Sequence, residues 1–376
     1  MPIGKVIISQ DKGTGGSITE IERKVLFIGI GGATALADQI HAINQETDLD
    51  IILGPEDSEL KLNIEAARLN AGPNFTGYVI PILAALGLYT WDTAIEFALD
   101  QPNDIDVEMV VLTTAMASSA DVDLYQASCV AAQNVFAKYI TIHAAVTGIT
   151  GALTWANYLT TTKALQTNKA ANRVHLVPQL HGNNLGVVVG RLINDSYSLG
   201  DSPMRVASGA VVGLGVDPVD VDGVTLSMAH LTDLADNRFS VPQTYTGIDG
   251  TYWADHVSLD IAGGDFQVFE NTRVIDYLTR RIRVLAILKI ADRSLNSAPD
   301  SVAYHEGYFM QPIFDASKAS NINGVPKPGL VKPPQDGDIV ISWLSTTEVE
   351  LFMLAAPLDS PKKITAHISL DLGRIA

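Results

Sequence analysis

The sequence has little cysteine and little charge. Cys129 is the single cysteine among 376 residues, so no disulfide can form within the chain and no cysteine-based metal cluster is expected. Charged residues make up 18% of the chain, below the usual figure of about 25%, whereas apolar residues make up 47%. This composition supplies a large core and argues against intrinsic disorder. Low charge also fits a protein that covers part of its surface with other subunits.

Positive charge is scarce. The chain has 25 Lys and Arg residues against 42 Asp and Glu residues, for a net charge of −17. A nucleic-acid backbone or an anionic membrane surface needs a positive partner face, so we expect neither as a partner. There is no uninterrupted apolar run of roughly 18 residues and no signal-peptide pattern at the start. The sequence therefore predicts no membrane span and assembly in a reducing cytoplasm.

The charges are unevenly distributed along the chain. Between His41 and Leu124 there are fifteen acidic and two basic residues, whereas between Arg273 and Arg293 there are six basic and two acidic residues. One part of the molecule is thus strongly anionic and one short stretch is cationic.

Strand and helix patterns alternate from residue 25 to about residue 215, which predicts an α/β domain with a largely parallel sheet. The predicted strands are Val25–Ile28, Thr76–Ile82, Val107–Leu112, Tyr139–Ala145 and Arg173–Val177. The predicted helices are Ser58–Asn70, Trp91–Leu99, Ala120–Phe136 and Leu153–Gln166.

The remainder of the chain has a different organisation. Residues 216–264 show little periodicity and are interpreted as a crossing between domains. A long helix is predicted over Asn271–Asp292, with an apolar side and a basic side, and another over Ser301–Ser317. Strand patterns occupy both ends of the chain, and the N-terminal one, at residues 3–9, lies on a glycine-rich tether. The C-terminal strands are predicted at Asp338–Leu344, Glu348–Ala355 and Lys363–Leu370.

Few patterns in the sequence indicate catalysis or cofactor binding. The turn Gly29–Thr34 follows a strand, but a dinucleotide fingerprint requires glycine where Thr34 stands, so a tight structural turn is favoured over a cofactor site. His175 and His181 are six residues apart, which is not a helical metal-binding spacing. Cys129 is predicted to lie in the core. We therefore expect no catalytic residues, no cofactor and no metal.

Several longer segments of the sequence form specific motifs: Val177–Gly186, Asp201–Val206, Gly263–Arg273 and Lys332–Asp338, together with Lys5-Val6, Leu26–Gly29 and Ile368–Leu372. In these segments the chain resembles the tail sheath proteins of contractile-tailed bacteriophages, in the Mu-like or prophage branch formerly described as a domain of unknown function. The similarity extends over nearly the whole chain.

The resemblance implies a structural protein rather than an enzyme. Sheath subunits of this kind stack as six-fold rings around a tail tube, and contraction drives the tube through the host envelope. The implied fold is an α/β outer domain plus an α+β inner domain with a β-sheet completed by the N- and C-terminal arms of neighbouring subunits. The predicted domains are an N-terminal arm at 1–23, an outer domain at 24–239 and an inner, tube-facing domain at 240–376.

Two sets of residues follow as candidate contact sites. The first is a basic helix face directed at the tail tube, formed by Arg273, Arg280 and Arg283. The second is the pair of arm strands that join neighbouring subunits, through Lys5, Val6, Ile7, Ile8, Ile364, Ala366, Ile368 and Leu370.

The expected partners are further copies of the chain, the tail tube protein, and the baseplate and tail terminator proteins. The expected location is the virion tail, after assembly in the bacterial cytoplasm. The alternative from another class is an NAD(P)-dependent oxidoreductase that uses Gly29, Gly31 and Gly32.

Overall fold

The structure, a computed structural model, describes residues 21–32, 34–83 and 88–368. The first part of the chain builds a six-stranded sheet with its helices. Its elements are β1 (Val25–Ile30), β2 (His41–Asn44), α1 (Leu49–Leu53), α2 (Glu59–Ala71), β3 (Thr76–Ile82), α3 (Trp91–Leu99), β4 (Met109–Leu112), α4 (Ala120–Phe136), β5 (Thr141–Val146), α5 (Trp155–Ala164), β6 (Val174–Pro178) and α6 (Asn184–Ile193).

The strand order in this sheet is β2-β3-β1-β4-β5-β6. All neighbouring strands are parallel except β2, which runs antiparallel to β3 at one edge. Every residue of β4, β5 and β6 is buried, as expected for parallel strands covered by helices on both faces. This arrangement confirms the predicted α/β domain with a largely parallel sheet.

Helices α2 and α6 pack backbone to backbone on one face of the sheet. A Cβ added at Gly186 would lie 2.0 Å from the Asn63 carbonyl oxygen, and one added at Gly190 would lie 2.3 Å from that of Ala67. Asn63 also accepts a hydrogen bond from the Gly186 amide through its side-chain oxygen, at 2.7 Å. Glycine at these two positions therefore sets the distance between the helices.

The rest of the chain contains α7 (Met228–Asp236), β7 (Pro242–Tyr245), β8 (Ile248–Trp253), α8 (Phe269–Ile287), α9 (Pro299–Ser317), β9 (Ser320–Ile322), β10 (Val325–Lys327), β11 (Ile339–Trp343) and β12 (Val349–Met353). The strands pair as three antiparallel hairpins, β7 with β8, β9 with β10 and β11 with β12. A separate hydrophobic cluster joins α8, α9, β11 and the segment around Val331. None of the helices in the described ranges is long and apolar enough to span a bilayer.

The packing corrects the boundary expected between residues 239 and 240. Val241, Trp253, Leu259 and Phe269 all belong to the core clusters of the α/β part. The Leu259 amide donates to the Val174 carbonyl at 3.0 Å, so this segment extends the β6 edge of the sheet. The core therefore changes near residue 270, because the segment read as a crossing is held to the sheet by backbone hydrogen bonds. The assignment of the two parts as outer and inner domains remains a prediction.

Candidate assembly surfaces

The glycine turn after β1 packs against its own chain. The Gly32 amide donates to the Leu53 carbonyl at 2.9 Å, and a Cβ at Gly32 would lie 2.7 Å from the same oxygen. A Cβ at Gly29 would collide with the Thr113 hydroxyl. The next regular element is the edge strand β2, whereas a dinucleotide fold places a phosphate-binding helix there. The geometry supports the structural turn and does not favour the oxidoreductase.

A cavity of about 440 Å³ lies at the carboxyl ends of β1 and β4, where such folds bind nucleotides. Its lining includes the apolar or aromatic side chains of Ile30, Trp91, Met116 and Tyr125. The Asp121 carboxylate also reaches it, but one of its oxygens accepts hydrogen bonds from the Ala117 and Ser118 amides at 2.8 and 2.9 Å. Asp121 lies in the first turn of α4, and its carboxylate binds the loop that leads into that helix.

Arg273, predicted to be exposed on the basic face, is buried instead. Its side chain is 3% exposed and forms a bidentate pair with Glu108, which is 2% exposed, at 2.6 and 2.8 Å. Its third nitrogen donates to the Leu192 carbonyl at 2.9 Å. Burial alone would raise the pKa of Glu108, but the Arg273 charge and hydrogen bonds hold that pKa below its ordinary value. The prediction of an exposed Arg273 is therefore wrong, because its counter-ion is the buried Glu108, immediately before β4.

Arg280 is also buried, and the exposed-face prediction is wrong for it too. Its guanidinium donates to Glu22 at 3.1 Å, and Arg281 donates to the same carboxylate oxygen at 3.1 Å. Burial would raise the pKa of Glu22, but the two arginines hold it below its ordinary value. Of the three predicted residues, only Arg283 is exposed. Whether Arg283 contacts a tube remains a prediction.

A third ion pair joins α8 to the sheet. Arg173, just before β6, donates to both carboxylate oxygens of Asp276 at 2.8 Å. Helix α8 thus connects to the α/β part through three ion pairs that are buried or nearly so, and sequence analysis missed all three. Its charge pattern is that of a solvated helix, and nothing local indicates that the partners lie more than 100 residues away in sequence.

The hairpin of β11 and β12 presents both free edges and apolar side chains. Within the described residues it is a two-stranded sheet, so each strand has one edge without a strand partner. One face packs on α9 through Ile339 and Ile341. On the other face Val340 pairs with Phe352, and both are exposed. An isolated two-stranded sheet is marginally stable, and a free edge accepts further strands.

The predicted arm residues lie partly outside the described chain. Lys5, Val6, Ile7, Ile8 and Leu370 fall in ranges that the structure does not describe. Ile364, Ala366 and Ile368 are described, and they belong to no strand within the described part of the chain. Ile364 is 81% exposed and Ile368 is 96% exposed. Their pairing with neighbouring subunits remains a prediction.

Lys362 anchors the chain where this exposed segment begins. Its ammonium group lies 2.6 Å from Asp255 in the α/β part and 2.6 Å from Glu270 at the start of α8. Burial raises the pKa of the Glu270 carboxyl, and the nearby Lys362 charge offsets only part of this rise. The segment that follows Lys362 therefore leaves the body of the subunit from a fixed point.

Three buried histidines form the group in the described chain that could hold a metal ion. His143 on β5, His175 on β6 and His256 after β8 each offer one ring nitrogen within 4.8 Å of the others. The sequence signal was a histidine inside each of two predicted buried strands. The third member follows only from the long-range packing of the segment after β8.

The comparisons with known proteins agree with this architecture. The family models for the N-terminal and C-terminal domains of DUF2586 match residues 3–257 and 265–373. A protein of Haemophilus phage HP1 (strain HP1c1), named "Putative tail sheath protein", is 40% identical over 367 residues, which cover 96% of each chain.

Solved structures give the same fold at low sequence identity. The contracted sheath of the extracellular contractile injection system PVC has a TM-score of 0.62 at 13% identity and covers 99% of this chain and 98% of its own. The contracted helical sheath of the anti-feeding prophage has a TM-score of 0.59 at 13% identity, with 99% and 100% covered. A sheath tail protein from Desulfitobacterium hafniense has a TM-score of 0.54 at 12% identity, with 95% and 97% covered. The chain therefore belongs to the DUF2586 family, and it is a tail sheath protein of the contractile-tailed bacteriophage type.

Proposed function

We propose that this sheath protein polymerises as hexameric rings around a tail tube, and that its contraction drives the tube through the host envelope. The single observation that carries the assembly step is the β11–β12 hairpin, which has unpaired edges and an exposed apolar face. A sheet in this state gains backbone hydrogen bonds when strands of neighbouring subunits add to it. The arm strands at residues 5–8 and 364–370 supply those strands.

The exposed C-terminal segment supports the same proposal. Ile364 and Ile368 are apolar and largely exposed in the single subunit, so a partner that covers them gains free energy by removing apolar surface from water. Lys362 fixes the start of the segment to the subunit body through Asp255 and Glu270. Movement of one subunit is thus transmitted to the next through the arm rather than absorbed at its base.

We propose that only the exposed part of the basic helix contacts the tube. Arg273 and Arg280 hold the subunit together, so Arg283 is the member of the predicted set that can face a tube with acidic groups. Single exposed ion pairs contribute about 0–1 kcal/mol, which suits a contact that must release on contraction. Tail tube, baseplate and tail terminator proteins are the proposed partners. The proposed location is the virion tail, after assembly in the host cytoplasm.

Contraction in this proposal uses energy stored in the extended lattice. A preference of about 1–3 kcal/mol per subunit, comparable to an allosteric coupling, totals on the order of hundreds of kcal/mol over some hundreds of subunits. No nucleotide is consumed. The lattice stays extended while tube and baseplate contacts hold it, and contraction spreads ring by ring through the arms.

Deletion of residues 1–15 tests the arm mechanism. We expect a folded subunit with unchanged circular dichroism that forms no cylinders in negative-stain electron micrographs. A matched control replaces Val325 by Ser in the short β9–β10 hairpin, where an exposed apolar residue is changed without touching the arms. Normal cylinders from the truncated chain would contradict the proposal, whereas the control should polymerise as the wild type does.

A further inference from the structure

His143, His175 and His256 form a cluster in the interior of the subunit, away from the surfaces proposed for assembly. All three side chains are fully buried. Their ring centroids lie 4.6–5.0 Å apart, with interplanar angles of 6–11°. The ring of Phe269 stands edge-on to all three at 4.9–5.6 Å. In the described ranges, none of the hydrogen-bond partners of these rings is a carboxylate, so ion pairing does not account for their burial.

On each histidine, one ring nitrogen forms a hydrogen bond with an oxygen atom. His143 Nε2 lies 3.0 Å from the Thr141 hydroxyl, and His256 Nδ1 lies 2.7 Å from the Ser240 hydroxyl. His175 Nδ1 lies 2.9 Å from the Val257 carbonyl, which can only accept, so this nitrogen carries the proton. Metal-bound histidines show this pattern, in which the second ring N–H donates to an oxygen and fixes the ring.

The other three ring nitrogens have no such oxygen partners. His175 Nε2 is a buried acceptor with no hydrogen-bond partner among the residues that the structure describes. His143 Nδ1 and His256 Nε2 lie 2.8 Å apart. If both of these histidines donate outward, the two nitrogens present facing lone pairs, which repel. A single bound cation would satisfy all three nitrogens, whereas a shared proton satisfies two and leaves His175 Nε2 unpaired.

We propose that this cluster is a structural site for a divalent transition metal of the zinc class, bound through His143 Nδ1, His175 Nε2 and His256 Nε2. Imidazole nitrogens are ligands that zinc prefers, at about 2.0–2.1 Å. Two ligands at that distance in a tetrahedral site lie roughly 3.3 Å apart. The nitrogens of His143 and His256 therefore need to separate by about half an ångström, a side-chain adjustment.

The charges around the cluster are compensated. Arg273 approaches from α8 but is paired with Glu108, and Lys362 is paired with Asp255 and Glu270. Burial lowers the pKa of His143 and His256, and of His175 to about 3, so the rings are neutral, as metal ligands must be. The site thus offers neutral donors in a locally neutral environment.

The position of the cluster gives the metal a structural role. It would join β5 and β6 to the segment that leads from β8 into α8. That segment connects the α/β part to the separate hydrophobic cluster formed by α8, α9 and β11. Because the site is fully buried, we expect the metal to enter during folding and to resist chelators in the folded subunit.

The test uses the full chain, denatured, stripped of metal and refolded with Zn²⁺, with Co²⁺ or with neither. We expect one metal per chain by mass spectrometry of the desalted protein. We also expect ligand-field absorption typical of nitrogen-ligated tetrahedral Co²⁺, and a higher Tm than the metal-free sample. Equal Tm values, with no retained metal and no cobalt absorption, would overturn the proposal and leave a metal-free hydrogen-bond network.

Two variants place the metal at this cluster. His175→Gln should lose the bound metal and the cobalt absorption. His305→Gln is the matched control, since His305 is another buried histidine with an unpartnered Nε2, located in α9 away from the cluster. Retention of stoichiometric metal by His175→Gln would also overturn the assignment. If His175→Gln does not fold, the wild-type cobalt spectrum and the control variant decide the question.

Discussion

Replacement of Glu108 by Gln should destabilise the subunit far more than removal of an exposed carboxylate does. Gln can keep one hydrogen bond to Arg273, but it removes the negative charge and leaves a buried guanidinium without a counter-ion. The pair is bidentate at 2.6 and 2.8 Å, and both side chains are at most 3% exposed. Removal of one partner from such a pair costs about 3–5 kcal/mol. We therefore expect a large drop in the free energy of unfolding.

Urea unfolding of dispersed subunits, followed by tryptophan fluorescence, measures this effect. The control is Asp315→Asn, which removes a carboxylate from the exposed pair with Lys318, where the expected cost is about 0–1 kcal/mol. The double variant Glu108→Leu with Arg273→Met should recover part of the loss, because no buried charge remains. A Glu108→Gln cost no larger than that of the control would refute the reasoning.

The same pair fixes the sign of a pH effect. The folded-state pKa of Glu108 is held below its ordinary value of 4.5, so its contribution is present above that pH. This contribution is lost as the pH falls through the folded pKa, since the protonated carboxyl no longer has a negative charge to pair with Arg273. The difference in stability between wild type and Glu108→Gln should therefore shrink below about pH 4.5.

Three further predictions address other parts of the subunit. Burial raises the pKa of Cys129 to about 12, so maleimide should label it only after urea unfolding, and rapid labelling of folded protein would contradict the packing of α4. Gly186→Ala should lower the Tm, by a destabilisation of about 1–3 kcal/mol or more, because its Cβ meets the Asn63 carbonyl, whereas Gly307→Ala in the open part of α9 should be neutral or stabilising. Assembled tail particles treated with apyrase to remove nucleotide, and with a chelator to remove accessible metal, should still contract in mild urea. A requirement for added ATP would exclude energy storage in the lattice.

Much of the α/β part could be predicted from local patterns. Helices α3 and α4 have the predicted bounds, and each predicted strand in that part overlaps an observed strand. These elements carry clear periodicity or contiguous apolar runs. Helix α6 was missed because two glycines, Gly186 and Gly190, and three consecutive valines give its sequence a low helix propensity. The short edge strand β2 was missed because only one of its four residues, Ile43, is a strong strand former.

The candidate sites were harder to predict, because their partners are distant in sequence. Arg273 and Arg280 have the helical spacing of a solvated face, and only the fold brings Glu108 and Glu22 to them. His143 and His175 meet because β5 and β6 are neighbours in register, whereas His256 arrives from a segment that had no regular pattern. Local sequence patterns predict exposed charged residues, because charged side chains are usually exposed. They therefore fail for charged residues that are buried as pairs.

Electron microscopy of the purified wild-type protein tests the central claim most directly. Negative-stain images of the full chain, alone and co-expressed with its tail tube protein, would show whether the subunits polymerise. The account predicts long cylinders with six-fold symmetry in end views and a central channel that the tube fills. Compact particles of constant size at all concentrations, with or without the tube protein, would contradict it.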